Sequence, residues 1–95
     1  MAETVRMHLI VEGRVQGVGF RYFVADLAIE MGILGWVRNR WDGSVEVMAE
    51  GERSSLDRFL AGVRRGPRAA FVSQVKESWD ASTGEFDDFR VVSSV

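Results

Sequence analysis

The sequence predicts an α+β fold: an antiparallel sheet with two helices packed on one face. Three observations lead there. Apolar residues alternate with polar ones in several short segments, and they recur every three or four residues in two others. The two kinds of segment follow one another as strand–helix–strand, twice, with no linker between the halves.

The elements follow in order. Met7, Leu9 and Val11 alternate with Arg6, His8 and Glu12, the period of a half-buried strand. The stretch Gly13–Gly19 then carries three glycines. After it, Phe20, Val24, Leu27 and Met31 line one face of a helix, and Gly32 stands where a helix ends in the left-handed conformation. A second strand is expected from Gly35 to Arg40 and a third from Ser44 to Glu50, with Asp42-Gly43 as the hairpin signal between them. A second helix is expected from Ser54, with Asp57 in capping-box position. Leu56, Phe59, Leu60 and Val63 form its apolar face, and Gly66-Pro67 stops it. A fourth strand near Phe71–Trp79 and a short fifth, Phe89–Val92, finish the chain. This order is the split βαβ, or ferredoxin-like βαββαβ, arrangement. It serves many functions and identifies none.

Composition narrows the possibilities. Ninety-five residues set the expectation of one domain over 1–95, and 46% hydrophobic content is enough for a core. Without cysteine there is no disulfide scaffold, thiolate zinc site or thiol nucleophile. No apolar run approaches the roughly 20 residues of a membrane span. Arg6 and His8 interrupt the N-terminal segment where a signal peptide needs an apolar core, so a cytoplasmic domain is expected. A net charge of −2 gives no electrostatic footprint for nucleic acid.

The segment Gly13-Arg14-Val15-Gln16-Gly17-Val18-Gly19-Phe20-Arg21 joins a strand to a helix. A tight loop there turns successive backbone N–H groups inward, and the helix adds its unpaired donors and positive dipole end. Arg21, in the first helical turn, can close over the same concavity with a guanidinium shaped for phosphate oxygens. The pattern suits a phosphate-sized anion. It is neither a Walker loop nor a dinucleotide fingerprint, since no Gly-Lys-Ser/Thr follows and Tyr22 stands where a third glycine is required. A plain tight turn with a solvated arginine is the alternative.

Gly13-x-Val15-Gln16-Gly17-Val18-x-Phe20-Arg21 resembles the first signature of the acylphosphatase family. The second signature follows at the expected distance: Gly35-Trp36-Val37-Arg38-Asn39, then Gly43, Val45 and Gly51. Arg65-Gly66-Pro67-Arg68-Ala69 and Gly84-Glu85-Phe86 through Phe89 are similar to later landmarks of that family. The resemblance spans Met7 to Val92, with Glu77 a departure at a position where an aliphatic residue is usual. It implies hydrolysis of a carboxyl–phosphate mixed anhydride to a carboxylate and inorganic phosphate. It implies Arg21 and Asn39 as catalytic residues, and a phosphate cradle made by Val15, Gln16, Gly17, Val18, Gly19, Phe20 and Arg21. Read alone, an Asn beside a hairpin is most often a turn former.

The usual catalytic apparatus is missing. His8 is the single histidine, and Glu12 on the same strand face is about 13 Å away, too far to share a metal. Asp26 and Glu30 read as a solvated helix face, and Asp87-Asp88 as a loop pair. No nucleophile elbow or zinc-protease helix is present. The implied reaction needs neither metal nor cofactor. Phosphoryl transfer is loose, and a carboxylate with a pKa of about 4 leaves unprotonated. The expected partners are small acyl phosphates as substrates and phosphate as product. A monomer is expected, without nucleic acid or membrane.

Two other readings stay open. A ferredoxin-like anion- or RNA-binding module would use Gly19–Val24, but those aromatics fall on a helix, where their spacing fits a core. An accessory, non-catalytic domain of a larger protein is the other. The length and the presence of both Arg21 and Asn39 lead to the expectation of a free-standing enzyme.

Overall fold

In the computed structural model, which describes residues 3–95, the chain enters through β1 (Thr4–Arg14), longer at both ends than its apolar alternation. Met1 and Ala2 lie outside the described residues. The order continues with α1 (Phe20–Glu30), β2 (Leu34–Asn39), β3 (Val45–Glu52), α2 (Arg53–Arg65), β4 (Phe71–Ala81) and β5 (Phe89–Val91). The strands form one sheet in the order β4-β1-β3-β2-β5. This is the ferredoxin-like arrangement that the sequence predicts. The sheet is mixed, however: β5 runs parallel to β2, while the other neighbours are antiparallel. β5 is reached from the far edge strand β4 by a crossing segment, so no hairpin dictates its direction.

Register explains which face is buried. Met7, Leu9 and Val11 stand opposite Ala49, Val47 and Val45, and Val37 stands opposite Val47. These side chains share the face covered by the helices and are fully buried with Phe20, Val24 and Ala28 of α1 and Leu56, Phe59 and Val63 of α2. Burial of this single apolar layer, at roughly 25 cal/mol per Å² of apolar surface removed from water, is the main term holding helices to sheet. Phe89 joins it edge-on to Phe59, with ring centroids 6.3 Å apart.

The opposite face of the sheet is polar and internally paired. Arg6 donates from Nε to Glu50 (2.7 Å), and its Nη2 also reaches Glu85 and Thr83. His8 meets Glu46 at 2.6 Å, and Arg38 donates to the same carboxylate at 2.8 Å while its guanidinium lies 4.4 Å from the Trp36 ring centroid. Burial opposes the charge on Glu50, but Thr83 N–H, Arg6, Gly84 N–H and the Thr83 hydroxyl together hold its carboxyl below the ordinary glutamate value.

One local expectation is corrected, and the Asp42-Gly43 hairpin takes a definite form. Helix α2 begins at Arg53, one residue before Ser54, and no side chain caps it. The register pairing Thr4 with Glu52 carries β3 into the helix, and Arg53 N–H donates to the Glu3 carbonyl (3.2 Å) in place of a capping side chain. Asp57 instead lies 3.4 Å from Arg53 Nε. In the β2–β3 connection, only Gly43 has positive φ (93°). Gly43 N–H donates to the Arg40 carbonyl (3.1 Å), so the turn spans Arg40–Gly43. Asp42 accepts from Ser44 N–H and hydroxyl at 2.9 and 2.6 Å, which lowers its carboxyl pKa. Glu77 lies on the helix side of edge strand β4, where Arg64 of α2 reaches it at 2.6 Å. An edge position with a cation above it accommodates a charge where an aliphatic residue would pack.

Candidate functional site: an amide-lined loop beside Asn39

Strands β1 and β2 both run antiparallel to β3 and therefore parallel to each other. Their C-terminal ends lie at the same end of the sheet. Helix α1, which connects them, starts there and packs over β2. Val11 and Asn39 each stand opposite Val45, in one row across three strands. At an interstrand spacing of about 4.8 Å, that row puts Asn39 about 10 Å from Val11, just before the glycine loop. Loop, helix start and Asn39 thus meet at one end of the molecule.

The loop from Val15 to Gly19 is held at three points. Val15 and Phe20, each 1% exposed, anchor its ends in the core. Between them Gly17 and Gly19 take φ of 73° and 76°, left-handed values in open space, so conformation and not crowding calls for glycine. The Gln16 side chain leaves the loop and donates from Nε2 to the carbonyls of Arg40 and Ser44, both at 2.8 Å. Before the loop, Gly13 passes so close to β4 that a Cβ would lie 2.1 Å from the Phe71 carbonyl oxygen.

This conformation frees the amides. Gly19 N-caps α1 without a side-chain cap, and its carbonyl accepts the first helical bond, from Phe23 N–H at 3.0 Å. Among the described residues, no backbone N–H from Val15 to Tyr22 donates to a protein acceptor. Arg21, the second residue of α1, has no carboxylate partner among them, and its guanidinium lies 5.8 Å from the Tyr22 ring centroid. A run of backbone donors without protein acceptors therefore lies next to the positive end of a helix, where an anion is favoured. The groove between the end of β1 and the hairpin, about 210 Å³, is lined by Glu12 and Asp42 and is of the wrong charge for phosphate.

Asn39 ends β2 on the helix side of the sheet. Its Oδ1 is buried and has no hydrogen-bond partner among the described residues. A buried acceptor left unpaired costs about 1–3 kcal/mol, a cost that a bound water donating to it removes. Its backbone is fixed firmly: Val95 N–H donates to the Asn39 carbonyl (3.1 Å), and Trp41 N–H donates to the Val95 oxygen (2.7 Å). These contacts and the Gln16 bonds carry no signal in the local sequence, because they join residues far apart in the chain.

The other residues weighed from sequence lie elsewhere. His8 is on the opposite face of the sheet, engaged with Glu46. Glu12 is 3.6 Å from Lys76 on that same face. Asp26 and Glu30 are exposed on α1, and Asp88 pairs with Arg90. No group of three or more His, Cys, Asp or Glu side chains with metal-binding geometry occurs among the described residues. Phe20 and Phe23, the aromatics of the alternative RNA motif, pack at 6.3 Å on the helix. Tyr22 is exposed.

The acylphosphatase family model matches residues 7–91. An acylphosphatase of Moorella thermoacetica is 50% identical over 91 residues, covering 96% of this chain and 97% of the relative. One from Pyrobaculum islandicum is 43% identical over 94 residues, covering 98% and 99%. The crystal structure of acylphosphatase from Bacillus subtilis superposes with a TM-score of 0.90 at 40% identity, over 93% of this chain and 98% of that one. With the fold shared over nearly its whole length, the chain belongs to the acylphosphatase family, hydrolases of the carboxyl–phosphate bond.

Proposed function

We propose that the loop amides from Val15 to Phe20, with Arg21, bind the phosphoryl oxygens of a small acyl phosphate, and that Asn39 orients the attacking water. The observation that carries this reading is the run of N–H groups without protein acceptors beside an arginine without a carboxylate. Arg21 and the amides supply fixed positive charge to a phosphoryl group whose transition state spreads its charge over three oxygens. Asn39 Oδ1, buried and unpaired, accepts a hydrogen bond from one O–H of a water and so directs its lone pair at phosphorus. The water needs little deprotonation before a loose transition state, and its proton passes to a phosphoryl oxygen. The carboxylate leaves as a stable anion. On this account neither a general acid nor a metal takes part.

The reading extends to the whole chain as one domain, monomeric and cytoplasmic. No helix of the described residues is long and apolar enough to cross a membrane. The outer face of the central strands carries the acids Glu46 and Glu50, each satisfied by Arg38 or Arg6, which disfavours nucleic acid there.

Acetyl phosphate and glycerol phosphate, assayed in parallel with and without magnesium or a chelator, test the proposal. Ready hydrolysis of acetyl phosphate, unaffected by chelator, is expected. An alkoxide is far too basic to leave without a proton, so glycerol phosphate should turn over slowly and gain nothing from magnesium. Comparable rates on the two substrates would reveal an acid that the proposal lacks. Loss of acetyl phosphate turnover with chelator would overturn the metal-free account.

A further inference from the structure

Gln16 sits inside the amide loop, but its side chain leaves the loop for the β2–β3 hairpin. Its Nε2 donates to the Arg40 and Ser44 carbonyls, each at 2.8 Å, using both of its hydrogens. These two carbonyls belong to the residues that close the hairpin, where Arg40 N–H donates to Ser44 at 2.9 Å. Arg40 directly follows Asn39 in the chain. The only side-chain hydrogen bonds between the loop and the hairpin among the described residues are therefore these two.

We infer that Gln16 is a positioning residue: its amide fixes the distance between the phosphate-binding loop and the water-orienting Asn39. This rests on the roles proposed above for the loop and for Asn39. Each half has its own anchors. Val15 and Phe20 anchor the loop to the core, and Val95 holds the Asn39 backbone from the outer edge of the sheet. Neither set of anchors joins the two halves on the inner side of the hairpin; Gln16 does. In-line attack depends on placing water and phosphorus to within a fraction of an ångström, and a 1 Å displacement costs about 100-fold in rate. Phosphate binding depends only on the loop and Arg21, and does not sense where Asn39 lies.

The test is a double-mutant cycle on acetyl phosphate with Gln16→Met, which keeps the length and removes both donors, and Asn39→Ala. Gln16→Met should lower kcat about 10- to 100-fold. Inhibition by inorganic phosphate should stay within about 2-fold of the parent, the pattern of a transition-state loss. In the Asn39→Ala background the same substitution should cost less than about 3-fold more, because the group it positions is already gone. Gln16→Asn, which keeps the amide but is too short to span both carbonyls, should show the same pattern with a smaller loss, and it replaces Gln16→Met if that variant is not folded by circular dichroism. Multiplicative losses in the cycle, an equal loss of phosphate affinity, or an unchanged kcat would each overturn the inference. Full activity in Asn39→Ala alone would instead overturn the role of Asn39, a separate and distinguishable outcome.

Discussion

Asn39 and Val11 occupy one row of the sheet, each directly opposite Val45 on the strand between them. The row sets the strand that leads into the first signature beside Asn39 of the second, 28 positions further along the chain, at the C-terminal ends of two parallel strands. Helix α1 delivers Arg21 to the same end. The binding and water-orienting roles proposed above fall on different elements, so they should be separable by substitution.

Arg21→Gln should remove the mobile charge and leave the loop amides in place. A hydrogen bond to a charged group is worth about 1.5–3 kcal/mol, so phosphate inhibition should weaken roughly 10- to 100-fold and activity should fall at least as far. Arg21 is half-buried and unpaired, so folding should change little. A folded variant that binds phosphate as well as the parent would show that Arg21 is not the ligand.

Asn39→Ala should act on rate alone. On the proposed mechanism its partner is water, so kcat should fall about 10²- to 10³-fold, as for removal of a single transition-state contact, while phosphate affinity holds. Losing an unpaired buried acceptor should not destabilise the fold, and urea unfolding checks this separately. Parallel losses of rate and phosphate binding would assign Asn39 a structural role.

Gly19→Ala should cost about 1–2 kcal/mol in urea unfolding, because φ of 76° is left-handed and a Cβ disfavours it. The space around it is open, so crowding adds nothing. Gly19→Asn should cost less, since Asn tolerates that conformation. If the alanine variant escapes strain by turning the loop, phosphate inhibition should weaken with it; equal stability of parent, Ala and Asn variants would refute the assignment of strain.

Glu50→Gln tests the polar face and should spare catalysis. Glu50 is 4% exposed and accepts from Arg6, Thr83 and Gly84, so the substitution should cost about 1–3 kcal/mol at neutral pH. Its carboxyl pKa is lowered on folding, so the unfolded chain takes up the proton first. The stabilisation is therefore complete above the ordinary glutamate pKa of about 4.3 and disappears as pH falls through the lower folded value. Stability curves of parent and variant should run parallel above pH about 6 and converge in acid. A gap that widens in acid would contradict the sign.

By itself the sequence determined what local rules control. Alternation at Met7, Leu9 and Val11 gave β1 its buried face, and the spacing of Leu56, Phe59, Leu60 and Val63 gave α2 its inner stripe, because side-chain periodicity follows backbone geometry. The glycines of the Gly13–Gly19 stretch foretold left-handed backbone, which Gly17 and Gly19 adopt, for the same local reason. The tertiary structure decided what depends on pairing distant segments. It laid β5 parallel to β2, where no hairpin constrained direction, and let Glu3 replace the expected cap at α2. It set His8 on the face away from the loop and brought Gln16 to the carbonyls of Arg40 and Ser44. Those bonds span 24 and 28 residues. Their partners are backbone carbonyls, which every residue carries, so only the register of the folded sheet selects them.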